Sequence, residues 1–339
     1  MANIKQNTLR KRADKLPEVT DKMWNEVIKV NREVYQDYID SNQQLSKETL
    51  KQYKSASRQF FWWVKMRCQN KPIYQIKKSD FLKYRSYLIN HGLSSSALNL
   101  KKSCISSICN FAENMYDSGE DYPDYVGFRN FTRGLPPIPK NKVYEKIKVS
   151  EEEYKDMMRV LEEQKDYLGM AWLACAFNVG ARRSEIIQFK TEILDYEHHI
   201  NSKGEKQNYR FTHVVRGKGR SRDGKPIRFM LNDEAYKYLK LWVTERSYEH
   251  EYIFTVKYGG DYVALSKTWA NSFCQNKLSP IAGRRINPHL FKASCITWLL
   301  ESGKDIKVVS KYVAQHESVE TTQLYDLRSD EDARDGIFD

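Results

Sequence analysis

The stretch RGLPPIPKNKVYEK, residues 133–146, constrains the fold more than any other part of the chain. Prolines at 136, 137 and 139 favour extended backbone and cannot continue a helix, so the helical pattern before them must end there. With 339 residues the chain is long enough for a separate core on each side. The expected organisation is a basic arm and helix at 1–44, a helical domain at 45–132, an extended linker at 133–146, a second domain at 147–326 and an acidic tail at 327–339.

Before the linker the apolar spacing is helical. After the basic, aperiodic opening NTLRKRADK, Met23, Val27, Val30 and Val34 recur as they would on one amphipathic helix. Ser46 reads as the N-cap of the next, with Thr49 where a capping-box acid would stand and Leu50, Tyr53, Phe60 and Val64 as its apolar face. Lys51, Lys54, Arg58 and Lys65 share another side of that helix, which suits a phosphate backbone; a solvated charged face is the competing reading. Two more helices are expected, one capped by Ser79 and stopped at Gly92, the other stopping near Gly119.

After the linker, Ser150 and Glu153 form a capping box. A buried helix over Leu168 to Val179 leads into GARRSEIIQF, where Glu185, three positions after Arg182, can orient an inward-facing arginine or form a surface salt bridge. The period then changes to two, predicting a hairpin with strands near 208–216 and 225–231. Its loop is dense in Gly, Lys and Arg and includes Lys218 and the turn pair Asp223-Gly224. DEAYKYLKLWVTER and SKTWANSFCQNKL read as helices, followed by NPHLFKASCITWLL, where His289 and Lys292 share one side of a helix start opened by Pro288. Backbone N–H groups and the helix dipole favour an anion there. That helix runs to Gly303, a second ends at His316, and a short one carries Tyr325.

The net charge of +12 favours a polyanionic partner such as nucleic acid, with a membrane surface as the competitor. The longest apolar run, GMAWLACAF, is far short of the roughly 20 residues that span a bilayer. The opening residues lack the apolar core of a signal peptide, so the expected location is the cytoplasm. Six cysteines without a CxxC pair are expected to be reduced core thiols, and neither a metal nor a cofactor is implied.

The ordered set Arg182, Lys218, His289, Lys292, His316 and Tyr325 occurs in GARRSEI, RGKGR, HLFKAS, AQHES and TTQLYD. It resembles the active site of the tyrosine recombinase (phage integrase) family over residues 147–326, and the preceding helical part resembles that family's core-binding domain. The resemblance implies a mainly α fold with a small antiparallel β-sheet, in two domains: a helical core-binding domain and an α+β catalytic-type domain. It implies that Tyr325 attacks a DNA phosphodiester to give a 3′-phosphotyrosine, conserving bond energy. Tyrosine has an ordinary pKa of about 10 and needs help in losing its proton, for which His289 is the matching acid/base residue. Arg182, residue 292 and His316 match the donors to the non-bridging oxygens, and Lys218 the acid for the departing 5′ oxygen. No metal or small-molecule cofactor enters. The implied partners are double-stranded DNA and further copies of the chain on paired sites. Beside the helical stripe, the DNA-contact candidates are Arg216, Arg220, Arg222, Lys225, Arg284 and Arg285.

One position of the six departs from the family, which has arginine where this chain has Lys292. Lysine keeps the charge but lacks the planar fork that grips two phosphate oxygens. Losing such a donor lowers a rate on the order of 10²- to 10³-fold. Ala293 and Gln315 also depart, the latter where glycine is usual before the histidine. Two readings follow: a DNA-binding regulator such as a phage repressor, with strand exchange impaired or lost, or a working site-specific recombinase. The expectation favours the regulator.

Overall fold

Asn70 does for the first helices what periodicity could not foretell. Its side chain accepts the Ile28 N–H at 3.1 Å and donates to the Glu26 carbonyl at 3.2 Å, pinning a break in the expected single helix. Two helices result, α1 (Asp21–Asn25) and α2 (Lys29–Asp40). They are followed by α3 (Lys47–Arg67), α4 (Lys78–Asn90) and α5 (Ser95–Met115). The structure, a computed structural model, describes residues 13, 14, 16–116, 119–136, 138, 139, 147–219 and 223–328. The chain forms two compact units, one drawn from residues up to 144 and the other from 145 onward, the 220–223 loop tip aside.

In the first unit Ser46 caps α3, accepting the Thr49 N–H at 3.2 Å. The cap expected at Ser79 is displaced: α4 starts at Lys78, because the Asp80 carboxylate accepts the Lys77 N–H at 3.1 Å and the Lys71 ammonium at 3.3 Å. Gly92 ends α4 with φ +76°, a conformation that disfavours a Cβ. Helix α5 ends at Met115, earlier than Gly119. The core is aromatic, with Phe60 packed 5.1 Å from Tyr84 and 6.0 Å from Phe131 between ring centres. Burying each such ring contributes about 1.5–3 kcal/mol.

The second unit opens with α6 (Glu151–Glu163), whose Ser150–Glu153 box is formed in both directions at 3.0 and 2.9 Å. Helix α7 (Tyr167–Asn178) is buried on every face from Gly169 to Ala176, and α8 (Arg183–Ile186) follows it. The expected hairpin is divided into four strands, β1 (Tyr209–Phe211), β2 (Val215–Gly217), β3 (Lys225–Ile227) and β4 (Met230–Asn232), with β1 antiparallel to β4 and β2 to β3. The interruption falls where the Thr212 hydroxyl accepts the Phe229 N–H at 3.0 Å. Next come α9 (Asp233–Glu245) and a hairpin the periodicity did not predict, β5 (Thr255–Tyr258) and β6 (Asp261–Ala264), turning through Gly259 and Gly260 at φ +60° and +98°.

Helices α10 (Trp269–Phe273) and α11 (Ser279–Ala282) lead to α12 (Pro288–Glu301). The helix expected to end at His316 is instead a short α13 (Ile306–Val308) running into a π-helical stretch, Val309–Ala314, closed by Gln315 at φ 56°. Last is α14 (Val319–Gln323). All six cysteines are buried and unpaired, as their apolar contexts predicted. Among the described residues no helix is long and apolar enough to cross a membrane.

Candidate functional site

Arg182 stands just ahead of α8. Glu185, with no solvent exposure, accepts its backbone N–H at 2.7 Å and its Nη1 at 2.9 Å. Of the two readings of this i,i+3 pair, the structure has the orienting one, since the carboxylate is wholly buried and the guanidinium 17% exposed. Strand β2 closes over the carboxylate through Gly217, where an added Cβ would lie 2.1 Å from Ile227 Cδ1 and 3.1 Å from Glu185 Oε1. Glycine is required there by the close approach.

Lys292 enters from α12. Its side chain is fully buried, and Nζ donates to the Ala314 carbonyl at 2.8 Å. Burial first, then the nearby Arg182 charge, brings its pKa down from 10.5 to about 7, against an upward pull from Glu185. The sequence reading that lysine preserves the charge is therefore corrected: near neutral pH much of the population is the neutral amine. The shared side expected of His289 and Lys292 is corrected too, because His289 is exposed on the first turn of α12 while Lys292 reaches inward.

Beyond the π-helical stretch, His316 is 9% exposed, with Nδ1 2.9 Å from the Thr322 hydroxyl. Its Nε2 is buried with no hydrogen-bond partner among the described residues. Burial, then Lys292, Arg182 and Lys225, lower its pKa from 6.5 to about 4, so it is a neutral imidazole. If Thr322 donates to Nδ1, Nε2 carries the proton and becomes a donor to an incoming oxygen. Tyr325 lies against this imidazole, ring centres 4.9 Å apart. It occupies the turn after α14 and not the helix itself. The Thr297 hydroxyl on α12 lies 3.1 Å from the Tyr325 carbonyl and accepts the Leu327 N–H at 3.0 Å, fixing the tyrosine's segment on the helix that carries Lys292.

Arg182, Lys292, His316 and Tyr325 are thus gathered by direct contact or mutual charge, with Lys225 of β3 near enough to act on His316. Lys218 is exposed just past β2, and Arg216 is exposed within it. Lys51, Lys54 and Arg285 are also exposed, whereas Arg220 and Arg222 lie outside the described residues. Three candidate DNA contacts are corrected by their partners. Arg58 binds Asp21 at 2.5 Å over the Trp24 ring, and Lys65 pairs with Glu26, so both fasten α1 to α3. Arg284 makes a two-pronged bond to Glu153 at 2.6 and 2.7 Å and donates to the Ile147 and Lys148 carbonyls, leaving its fork within the fold. Sequence reasoning missed Thr297, Thr322 and the Ala314 carbonyl. The two threonines carry no motif of their own, and a carbonyl has no residue signature.

Residues 148–331 match the Phage integrase family. The SPbeta prophage-derived recombinase-like protein YomM of Bacillus subtilis (strain 168) is 53% identical over 337 residues, covering 99% of this chain and 98% of that protein. Tyrosine recombinase XerA of Pyrococcus horikoshii is 25% identical over 294 residues, covering 86% of this chain and 87% of XerA. The integrase of transposon Tn1549, solved in complex with transposon right end DNA, aligns with TM-score 0.65 at 14% identity over 90% of this chain and 97% of its own. The XerH site-specific recombinase bound to palindromic difH substrate aligns with TM-score 0.61 at 14% identity, over 94% and 96%. These two solved structures share the fold, mainly helical with small antiparallel sheets.

Proposed function

The chain belongs to the phage integrase family, and on that premise we propose that it is a duplex-DNA-binding protein with a tyrosine recombinase fold whose strand exchange is impaired, acting as a regulator in the manner of a phage repressor. The observation that carries this reading is Lys292: fully buried, tied to the Ala314 carbonyl, and only partly charged at neutral pH. A phosphate that enters meets Arg182 on its carboxylate support and the open Nε2 of His316. It lacks the second forked cation that growing charge on the non-bridging oxygens demands. Binding needs less, because an anion beside Lys292 raises that amine's pKa and draws a proton onto it. Duplex DNA as the partner is supported by the DNA-bound Tn1549 and XerH structures and by the net charge of +12. Exposed Lys51, Lys54, Arg216, Lys218 and Arg285 add phosphate contacts, and copies of the chain assemble on paired sites.

A second reading, a working recombinase, is favoured by Tyr325 resting on His316 with its segment held by Thr297. One assay separates the two. A nicked suicide duplex carrying a site selected by the protein itself is incubated with the parent, Tyr325→Phe and Lys292→Arg. The regulator reading expects parent binding without a covalent adduct, and adduct formation rising on the order of 10²-fold in Lys292→Arg. A Tyr325-dependent adduct formed efficiently by the parent overturns it. Binding should also weaken steeply with salt, in proportion to the phosphates neutralised.

A further inference from the structure

A cavity of about 440 Å³ in the first unit opens between α2, the 3-10 turn Ile73–Gln75 and the segment after α5. Tyr74, Tyr116, Tyr122 and Tyr125 wall it. Tyr116 lies 4.4 Å from Tyr122 and 4.8 Å from Tyr125 between ring centres, and Tyr74 meets Tyr125 at 5.1 Å and 68°. Rings set at such angles present electron-rich faces to a common space, the arrangement that attracts a cation. Glu33, Asp37, Asp121 and Asp124 also line the cavity, and no lysine or arginine is among its described lining residues. In a chain of net charge +12 this is a local inversion of sign. A separate observation points to a ligand that donates hydrogen bonds. Tyr125 is only 7% exposed, and its hydroxyl is buried with no hydrogen-bond partner among the described residues.

We propose that this cavity is a receptor for the basic N-terminal arm of a second copy of the chain, taking a guanidinium or ammonium group between the tyrosines and the carboxylates. The arm, KQNTLRKR at residues 5–12, lies outside the described residues and holds Lys5, Arg10, Lys11 and Arg12 with no acid among them. It leaves the fold at Asp14, whose N–H donates to the His91 carbonyl at 2.9 Å at the end of α4. Helix α4 contributes no residue to the cavity, which assigns the occupant to another molecule.

The test titrates the full chain into a fluorescent peptide of residues 1–15 without DNA, so that failure here leaves the DNA-binding reading untouched. The parent binds the peptide and does not bind one with Arg10, Lys11 and Arg12 replaced by glutamine. Tyr122→Ala and Asp124→Asn, both at exposed positions, each weaken binding about tenfold with unchanged melting temperature, while Tyr122→Phe keeps it. The proposal is overturned by absence of parent binding, or by equal binding to Tyr122→Ala and Asp124→Asn. Binding that appears only after residues 1–12 are removed from the receptor overturns the second-copy assignment, because the arm then fills its own cavity.

Discussion

Arg182 is held by a carboxylate and Lys292 by a carbonyl, although the two cations stand close enough to act on each other's charge. Glu185 compensates the guanidinium in full, and the fork keeps its charge at any pH a protein tolerates. The Ala314 carbonyl offers only a dipole, so burial prevails over it and the amine releases its proton easily. One site therefore combines a permanent cation with a conditional one, and the support beneath each cation decides which it is.

Removing the carboxylate should break this contrast most severely. Glu185→Ala leaves Arg182 largely buried and uncompensated and should destabilise the fold by about 3 kcal/mol, read as a shift in the urea midpoint. Next in size is a pH effect. Lys292 holds its proton to about 7 in the folded chain and to about 10.5 when unfolded, so between those values the unfolded state binds more protons and stability rises with pH. The rise should reach roughly 2–3 kcal/mol between pH 7 and 9.5 and disappear in Lys292→Met, compared by denaturation at each pH.

His316 gives the same sign on the acid side. Its folded value near 4 lies below the ordinary 6.5, so its share of stability is lost as pH falls through that window. His316→Gln should flatten the acid limb of the parent by about 2 kcal/mol. Thr297→Val should cost about 1–2 kcal/mol by leaving the Leu327 N–H without its acceptor, and should speed hydrogen exchange at Leu327 more than at α7. Smallest is Gln315→Gly, which relieves a left-handed backbone at φ 56° and should stabilise by about 0.5–1 kcal/mol; an unchanged melting temperature would deny that the turn holding Lys292 is strained.

Local chemistry was what the sequence made legible. Ser46, Ser150 and Gly92 each act within a turn of their own position, and all three do what their residue types predict. The Arg182–Glu185 pair, three residues apart, is of the same kind. What escaped depends on groups distant in the chain. Asn70 breaks α1 from α2 across 42 residues, and Ala314 receives Lys292 across 22. Arg284 and Lys65 look in sequence like any surface cation until Glu153 and Glu26 are placed beside them. The β5–β6 hairpin is a different kind of miss: its Gly-Gly turn between alternating residues was a readable signal that was not used.

The π-helical stretch at Val309–Ala314 is a helix holding more residues per turn than its neighbours, and this makes the chain length there part of the site. Each residue advances an α-helix by about 100°, so deleting one residue between 309 and 314 should restore regular winding and swing everything after it around the axis by that amount. His316 would leave Thr322, and Lys292 would lose the carbonyl that receives it. Substitutions in this stretch change what the site contains, but a single deletion changes which way it points.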